Sequence, residues 1–228
     1  IEFIGNARVV KINRGAKTVE LSDGRSLAYD KLALTTGGRP RPLSTPGADK
    51  PNVFLLRSIA DVEGIKPHCA EGKRVVIVGG GFIGLEVAAV LVKKGLKVTV
   101  LEGLPRVLAR VTAPEVSTFF ERVHREAGVD LRTSVKIEAF IGEPNVTAVK
   151  LGDGTQIETD FVVAGIGLIP NVELAQQAGL EIDNGIVVDE QTRTSDPDIV
   201  AAGDCTNHPS EYLGRRVRLE SVQNAMEQ

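Results

Sequence analysis

The sequence predicts an α/β fold with a parallel sheet at its centre, and three observations carry that expectation. The first is the run Arg74-Val75-Val76-Ile77-Val78, whose four consecutive β-branched residues read as a strand buried on both faces. The second follows at once: Gly79, Gly81 and Gly84 stand at G-x-G-x-x-G spacing, and Phe82-Ile83 lead into a stretch with apolar positions at helical spacing. The third is a further strand, Leu96 to Leu101, which ends in Glu102. That is about the 20-residue distance expected for a carboxylate on an adenine ribose. Together they describe a βαβ unit built for a dinucleotide. The first glycine permits the tight turn and the second lets a pyrophosphate approach. The third lets helix and strand pack closely, so that free N–H groups at the helix start face the phosphates. A carboxylate accepts hydrogen bonds from a 2′-hydroxyl and repels a 2′-phosphate, so Glu102 favours NADH over NADPH. Arg106 and Arg110 read as solvated surface arginines that could soften that preference.

The remaining elements follow in chain order. Residues 1 to 35 read as strands joined by tight turns, and the chain begins, without a methionine, inside an expected strand at Ile1. Arg8 to Asn13 and Lys17 to Leu21 alternate, and Ser22-Asp23-Gly24-Arg25 is a hairpin signal. Ala28 to Leu34 reads as one strand running into Thr35-Thr36-Gly37-Gly38. Pro40, Pro42, Pro46 and Pro51 make the next loop extended, a suitable crossing between domains. Val53 to Leu56 is a short strand, and Ser58 caps a helix opening at Ile59. Ala113 to Ala127 is an amphipathic helix with Pro114 in its first turn and Gly128 just past its end. Val129 to Leu131 supplies another parallel strand, Val135 to Ile141 and Val146 to Leu151 alternate, and Gly152-Asp153-Gly154 marks a hairpin. Phe161 to Ala164 is a buried strand ending at Gly165-Ile166-Gly167. A short helix then ends at Ala178, strands are expected at Ile186 to Val188 and Ile199 to Ala202, and the last helix covers Ser221 to Gln228. The hairpin Thr18 to Gly24 resembles Ala148 to Gly154, and each leads through an apolar strand into glycines. The fold expected is therefore two Rossmann-like dinucleotide-binding domains, each with its own β-meander.

Composition narrows the function. A net charge of −3 leaves no electrostatic footprint for nucleic acid. No run of about 18 apolar residues is present to span a membrane, and the start lacks a signal-peptide pattern, so a cytoplasmic protein is expected. Cys69 and Cys205 are far apart and form no C-x-x-C, and His68, His124 and His208 show no ligand spacing. Neither a disulfide framework nor a metal site is indicated.

Taken together, the segments resemble the two-dinucleotide-domain flavoprotein reductases, and among them the ferredoxin and rubredoxin reductases that serve oxygenases. The matching stretches are Leu34 to Arg41, Leu56-Arg57-Ser58, Gly79 to Glu86, Gly165 to Asn171, Ala202-Gly203-Asp204-Cys205 and Val217 to Ala225. They run in the family's order, and the last is the most specific. The family's N-terminal glycine motif and its C-terminal domain are not matched here, so the resemblance is to the middle of a reductase. It implies a partial FAD domain at 1–54, an NAD domain at 55–168 and a return to the FAD domain at 169–228. It also implies roles. Arg57 and Asp204 would contact FAD, the latter near a helix start, and the Val222 backbone would face the flavin ring from the first turn of the last helix. Glu86 and Glu220 would flank the nicotinamide, and the Gly165-Ile166-Gly167 backbone would let it lie flat. Hydride would pass from NADH to FAD without a catalytic acid or base, and single electrons would leave to an iron–sulfur ferredoxin or a rubredoxin. The Arg215-Arg216-Arg218 cluster reads either as a docking patch for an acidic partner or as a solvated strand edge. The alternative is a module that holds NADH without flavin. A polypeptide limited to these residues is expected to form a homodimer or larger assembly, because half a domain leaves strand edges and apolar faces uncovered.

Overall fold

The β-branched run Arg74–Val78 becomes the middle strand of a five-stranded parallel sheet. The strand order is Val53–Leu55, Phe161–Ala164, Arg74–Val78, Lys97–Leu101, Asp130–Arg132. Every neighbour pair is parallel. In this computed structural model, which describes residues 1–228, the sheet lies in one of two compact units, 40–168. Helix Phe82–Lys93 covers one face, where Leu85, Ala88 and Leu91 pack on Val75, Ile77, Val100 and Phe161. The opposite face, with Val76, Val78, Val162 and Ala164, packs on Phe140, Val149 and Leu151 of an antiparallel meander. Two buried faces explain why the central strands carry no polar alternation.

The register sets the functional edge. Val78 stands opposite both Ala164 and Leu101, so these strands end level. Gly79, Gly165 and Glu102 therefore emerge side by side at the carboxyl edge of the sheet, where open α/β sheets bind ligands.

The other unit comprises 1–39 and 169–228. Its meander pairs Val9–Asn13, Thr18–Leu21 and Ser26–Ala28, and Leu32–Leu34 runs parallel to Ile199–Ala201. Ile12, Val19, Leu34, Ile186, Ile199 and Cys205 form its core. The two meanders correspond closely. Each has a register shift in its first strand, between Val9 and Lys11 and between Ile137 and Ala139. In each turn an aspartate side chain accepts from the backbone two residues on, Asp23 from Arg25 at 3.0 Å and Asp153 from Thr155 at 2.9 Å. The likeness continues past the meanders: Asn171 N–H donates to the Gly37 carbonyl and Arg41 N–H to the Gly167 carbonyl, both at 2.9 Å.

The break between the compact units falls at 39/40, because Val53–Leu55 is an edge strand of the parallel sheet and holds the proline loop with it. Other elements differ from the expectation. The first strand begins at Val9, not at Ile1. Ala28 to Leu34 is two short strands, Ser26–Ala28 pairing antiparallel and Leu32–Leu34 parallel, because the chain changes partner at Asp30. Thr206–Ser210 and Arg215–Val217 form a hairpin that carries no strand signal in the sequence, since its first strand is polar and contains a proline. Finally, helix Pro114–Glu126 presents its apolar stripe outward: Val116, Phe119 and Val123 are exposed while Ser117 and His124 are buried.

Candidate functional site: a glycine turn at the sheet edge

Gly79 leaves the central strand at φ +105°, a backbone region that L side chains rarely adopt, and a Cβ there would lie 2.5 Å from the Gly165 carbonyl oxygen. A Cβ on Gly84 would lie 2.0 Å from the Gly79 carbonyl oxygen, so the third glycine is what lets the helix meet the turn. Gly81 differs: nothing approaches its Cβ position within 4 Å. The space over the second glycine is open. Gly81 is also the N-cap of the twelve-residue helix Phe82–Lys93, and no side chain caps that end. An uncapped helix start beside open space fits the pyrophosphate of a dinucleotide. Phe82 and Ile83, both about half exposed, flank it in the first turn, and Glu86 is exposed one turn further along.

Glu102 sits at the end of the neighbouring strand with its carboxylate turned onto the glycines. One oxygen accepts from Gly80 N–H at 2.6 Å and the other from Leu104 N–H at 2.8 Å. Each oxygen keeps a second lone pair for a ribose hydroxyl. The two downstream arginines part company. Arg106 is not a solvated arginine: its guanidinium donates to the Thr112 and Ala109 carbonyls and to Ser117 Oγ. Arg110 is exposed, with its guanidinium 3.3 Å from the Cβ position of Gly167. A cation therefore borders the Gly165-Ile166-Gly167 segment.

The residues expected to meet flavin, and Glu220 expected at the nicotinamide, divide between the units. Arg57, exposed at the sheet edge, donates its N–H to Asp61 in unit 40–168. Asp204, Glu220 and Val222 belong to the other unit. Asp204 is half-buried after Gly203, and its carbonyl accepts from Arg218. The chain then enters strand Thr206–Ser210, so no helix begins at Asp204. The helix beside it comes later in the chain and meets Gly203 through Ala225 and the Gln228 side chain, away from that helix's start. Val222 is exposed in the first turn of Val222–Glu227, where Ser221 Oγ accepts from Asn224 N–H. Glu220 pairs with Arg218 at 2.7 Å. Arg216 is likewise engaged, donating to the Val188 and Asn207 carbonyls. Of the arginine cluster, Arg216 and Arg218 thus hydrogen-bond within their own unit, and Arg215 and Arg216 are both exposed.

Packing and backbone contacts surround the three histidines, and His208 Nε2 is buried without a hydrogen-bond partner. His68 lies among Phe54 and Phe161, His124 faces the Phe120 and Leu85 carbonyls, and His208 faces the Pro209 carbonyl. No group of side chains has the makings of a metal site, and both cysteines are free. No helix is long and apolar enough to cross a membrane.

The family model for pyridine nucleotide-disulphide oxidoreductases matches residues 1–228. The chain belongs to this family. Among curated relatives of the pyridine nucleotide-disulphide oxidoreductase family, putidaredoxin reductase of Pseudomonas putida is 51% identical over 100% of this chain and 56% of its own length. Rubredoxin-NAD(+) reductase of the same organism is 41% identical over 98% of this chain and 58% of its own length. Among solved structures, that of a covalent putidaredoxin reductase–putidaredoxin complex matches at a TM-score of 0.93 and 52% identity. It covers 97% of this chain and 55% of that one. A NAD-dependent persulfide reductase from A. fulgidus matches at 0.91 and 33%, over 97% and 42% respectively. The chain spans about half the length of the curated relatives it matches.

Proposed function

We propose that this chain is the central part of an NADH-dependent, FAD-containing reductase that passes single electrons to an iron–sulfur ferredoxin or a rubredoxin. The observation that carries the reading is the level ending of the strands at Val78, Leu101 and Ala164. It brings an open glycine turn, a carboxylate and a second glycine segment to one edge, in the order that a bound NADH needs. Unit 40–168 holds NADH, with the pyrophosphate over Gly81 and the adenine ribose at Glu102. The nicotinamide runs toward Gly165–Gly167, where Arg110 adds positive charge. In this unit Glu86 is assigned to the nicotinamide and Arg57 to FAD; in unit 1–39 with 169–228, taken by itself, Glu220 is assigned to the nicotinamide and Asp204 and the Val222 backbone to FAD.

When bound, NADH and FAD supply the hydride chemistry between them, and the residues here bind, orient and exclude water. No side chain in this arrangement is assigned as acid or base. The names of the relatives favour a one-electron acceptor, since the structural relative is captured with putidaredoxin and others are named for rubredoxin. Cys69 and Cys205 are both free thiols.

The test is the visible spectrum of the purified full-length protein before and after anaerobic addition of NADH. Flavin bands near roughly 370 and 450 nm that bleach with NADH are expected for this reading. A colourless protein that still binds NADH would instead establish the alternative, a nicotinamide-binding module without redox chemistry.

A further inference from the structure

The middle residue of the turn, Gly80, is gripped from two sides. Its N–H donates to the Glu102 carboxylate at 2.6 Å, and its carbonyl accepts from Leu108 N–H at 2.9 Å. Leu108 reaches that carbonyl from a left-handed backbone, φ +54°, which a leucine rarely adopts. Val107 beside it is fully buried, and its Cγ1 is 2.9 Å from where a Cβ on Gly80 would stand. The loop carrying both residues is fastened by polar side chains. Arg106 bonds the Ala109 carbonyl at 3.0 Å, the Thr112 carbonyl at 2.9 Å and Ser117 Oγ at 2.6 Å. Ser117 Oγ donates to the Val107 carbonyl at 2.6 Å, and Glu121 accepts from Val107 N–H at 3.3 Å.

We propose that Arg106 is a positioning residue for the dinucleotide site, acting through Val107 and Leu108 on the Gly80 peptide. The inference rests on the NADH reading of the site. Backbone N–H groups serve a pyrophosphate best when they already converge before it arrives. The Gly80 peptide can swing about its flanking bonds, and the clasp from Leu108 and Glu102 stops it. Arg106 therefore governs affinity for the dinucleotide as a whole and does not read its 2′ position, because its donors are committed to the loop and to helix Pro114–Glu126.

Steady-state kinetics of the full-length protein with Arg106→Met decide the matter. The substitution keeps the aliphatic stem and removes the donors. KM for NADH and KM for NADPH are expected to rise by the same factor, about tenfold, with kcat changed less than about twofold. A change confined to NADPH would show that Arg106 reads a 2′-phosphate and overturn the proposal. Unchanged KM values with a lowered thermal midpoint would also overturn it, leaving Arg106 a brace of its own loop. Should Arg106→Met not fold, Ser117→Ala carries the test, with a smaller rise of the same kind expected for both nucleotides. A wild type that does not consume NADH overturns the site reading and this proposal with it, whereas unchanged KM in a working enzyme overturns the proposal alone.

Discussion

Gly81 and Gly84 share one motif and answer to different forces. Gly84 is required by packing, since any Cβ strikes the Gly79 carbonyl, while Gly81 is set in open space at φ −79°, which alanine adopts readily. Gly84→Ala is accordingly expected to destabilise the protein by roughly 3 kcal/mol, from overpacking between turn and helix. Gly81→Ala is expected to cost less than about 1 kcal/mol, from a poorer helix cap, and to weaken NADH binding, because its methyl stands where a pyrophosphate approaches. Denaturant melts and NADH titrations on both variants check the pair. Equal stability losses would mean that the open space over Gly81 is not what the geometry indicates. The spacing of the glycines was legible in the sequence. This division of labour was not, because it depends on what the folded chain brings opposite each one.

At the scale of elements, polar side chains buried at joints do what apolar patterning cannot. Asn52 is 3% exposed, and its amide donates to the Val146 and Asp160 carbonyls while accepting from Val146 N–H. It ties the proline loop to the second meander with three bonds of 2.7 to 2.8 Å. Asn52→Ala strands those buried backbone groups, and a loss of about 3 kcal/mol in a denaturant melt is expected. Helix Pro114–Glu126 makes the same point from the other direction. Its amphipathic pattern correctly announced a helix, yet its inward face carries Ser117, Glu121 and His124, which bond the Val107 backbone and the Leu85 carbonyl. Periodicity reports that a helix has two faces. Which face turns inward depends on the polar groups waiting there, here the backbone of a buried loop and the Leu85 carbonyl.

Across the whole molecule the chain repeats itself, with two bulged meanders, two aspartate turns and two glycine-to-backbone bonds at matching places. Within unit 1–39 with 169–228, charge joins segments distant in sequence: Lys17 and Lys31 both pair with Asp198 at 2.5 Å. Hydrogen bonds from Lys17 and then Lys31 hold the Asp198 carboxyl down at about 2, below its ordinary 3.8. A carboxyl lowered on folding stabilises the native state above its unfolded pKa and loses that contribution as pH falls through the folded value. The cluster is therefore expected to persist above about pH 4 and to fail between there and about pH 2. Asp198→Asn should remove that part of the acid sensitivity. Denaturant midpoints of wild type and variant across the interval measure it, and parallel curves would refute the assignment.

The sequence by itself determined the βαβ unit, the glycine turn, the carboxylate at the second strand end and the duplicated hairpin. Each rests on local chemistry: β-branched runs, glycine geometry, turn residues and their spacing. Only the tertiary structure decided that Arg106 is tied into a loop while Arg110 borders the second glycine segment, and that Arg216 and Arg218 brace their own unit. It also placed the break between units at 39/40, because strand Val53–Leu55 joins the parallel sheet through Phe161–Ala164, far along the chain. A charge or a proline in a sequence states what a residue can do. Its partner is chosen by whichever distant backbone group the fold leaves unsatisfied within reach, and local pattern does not encode that.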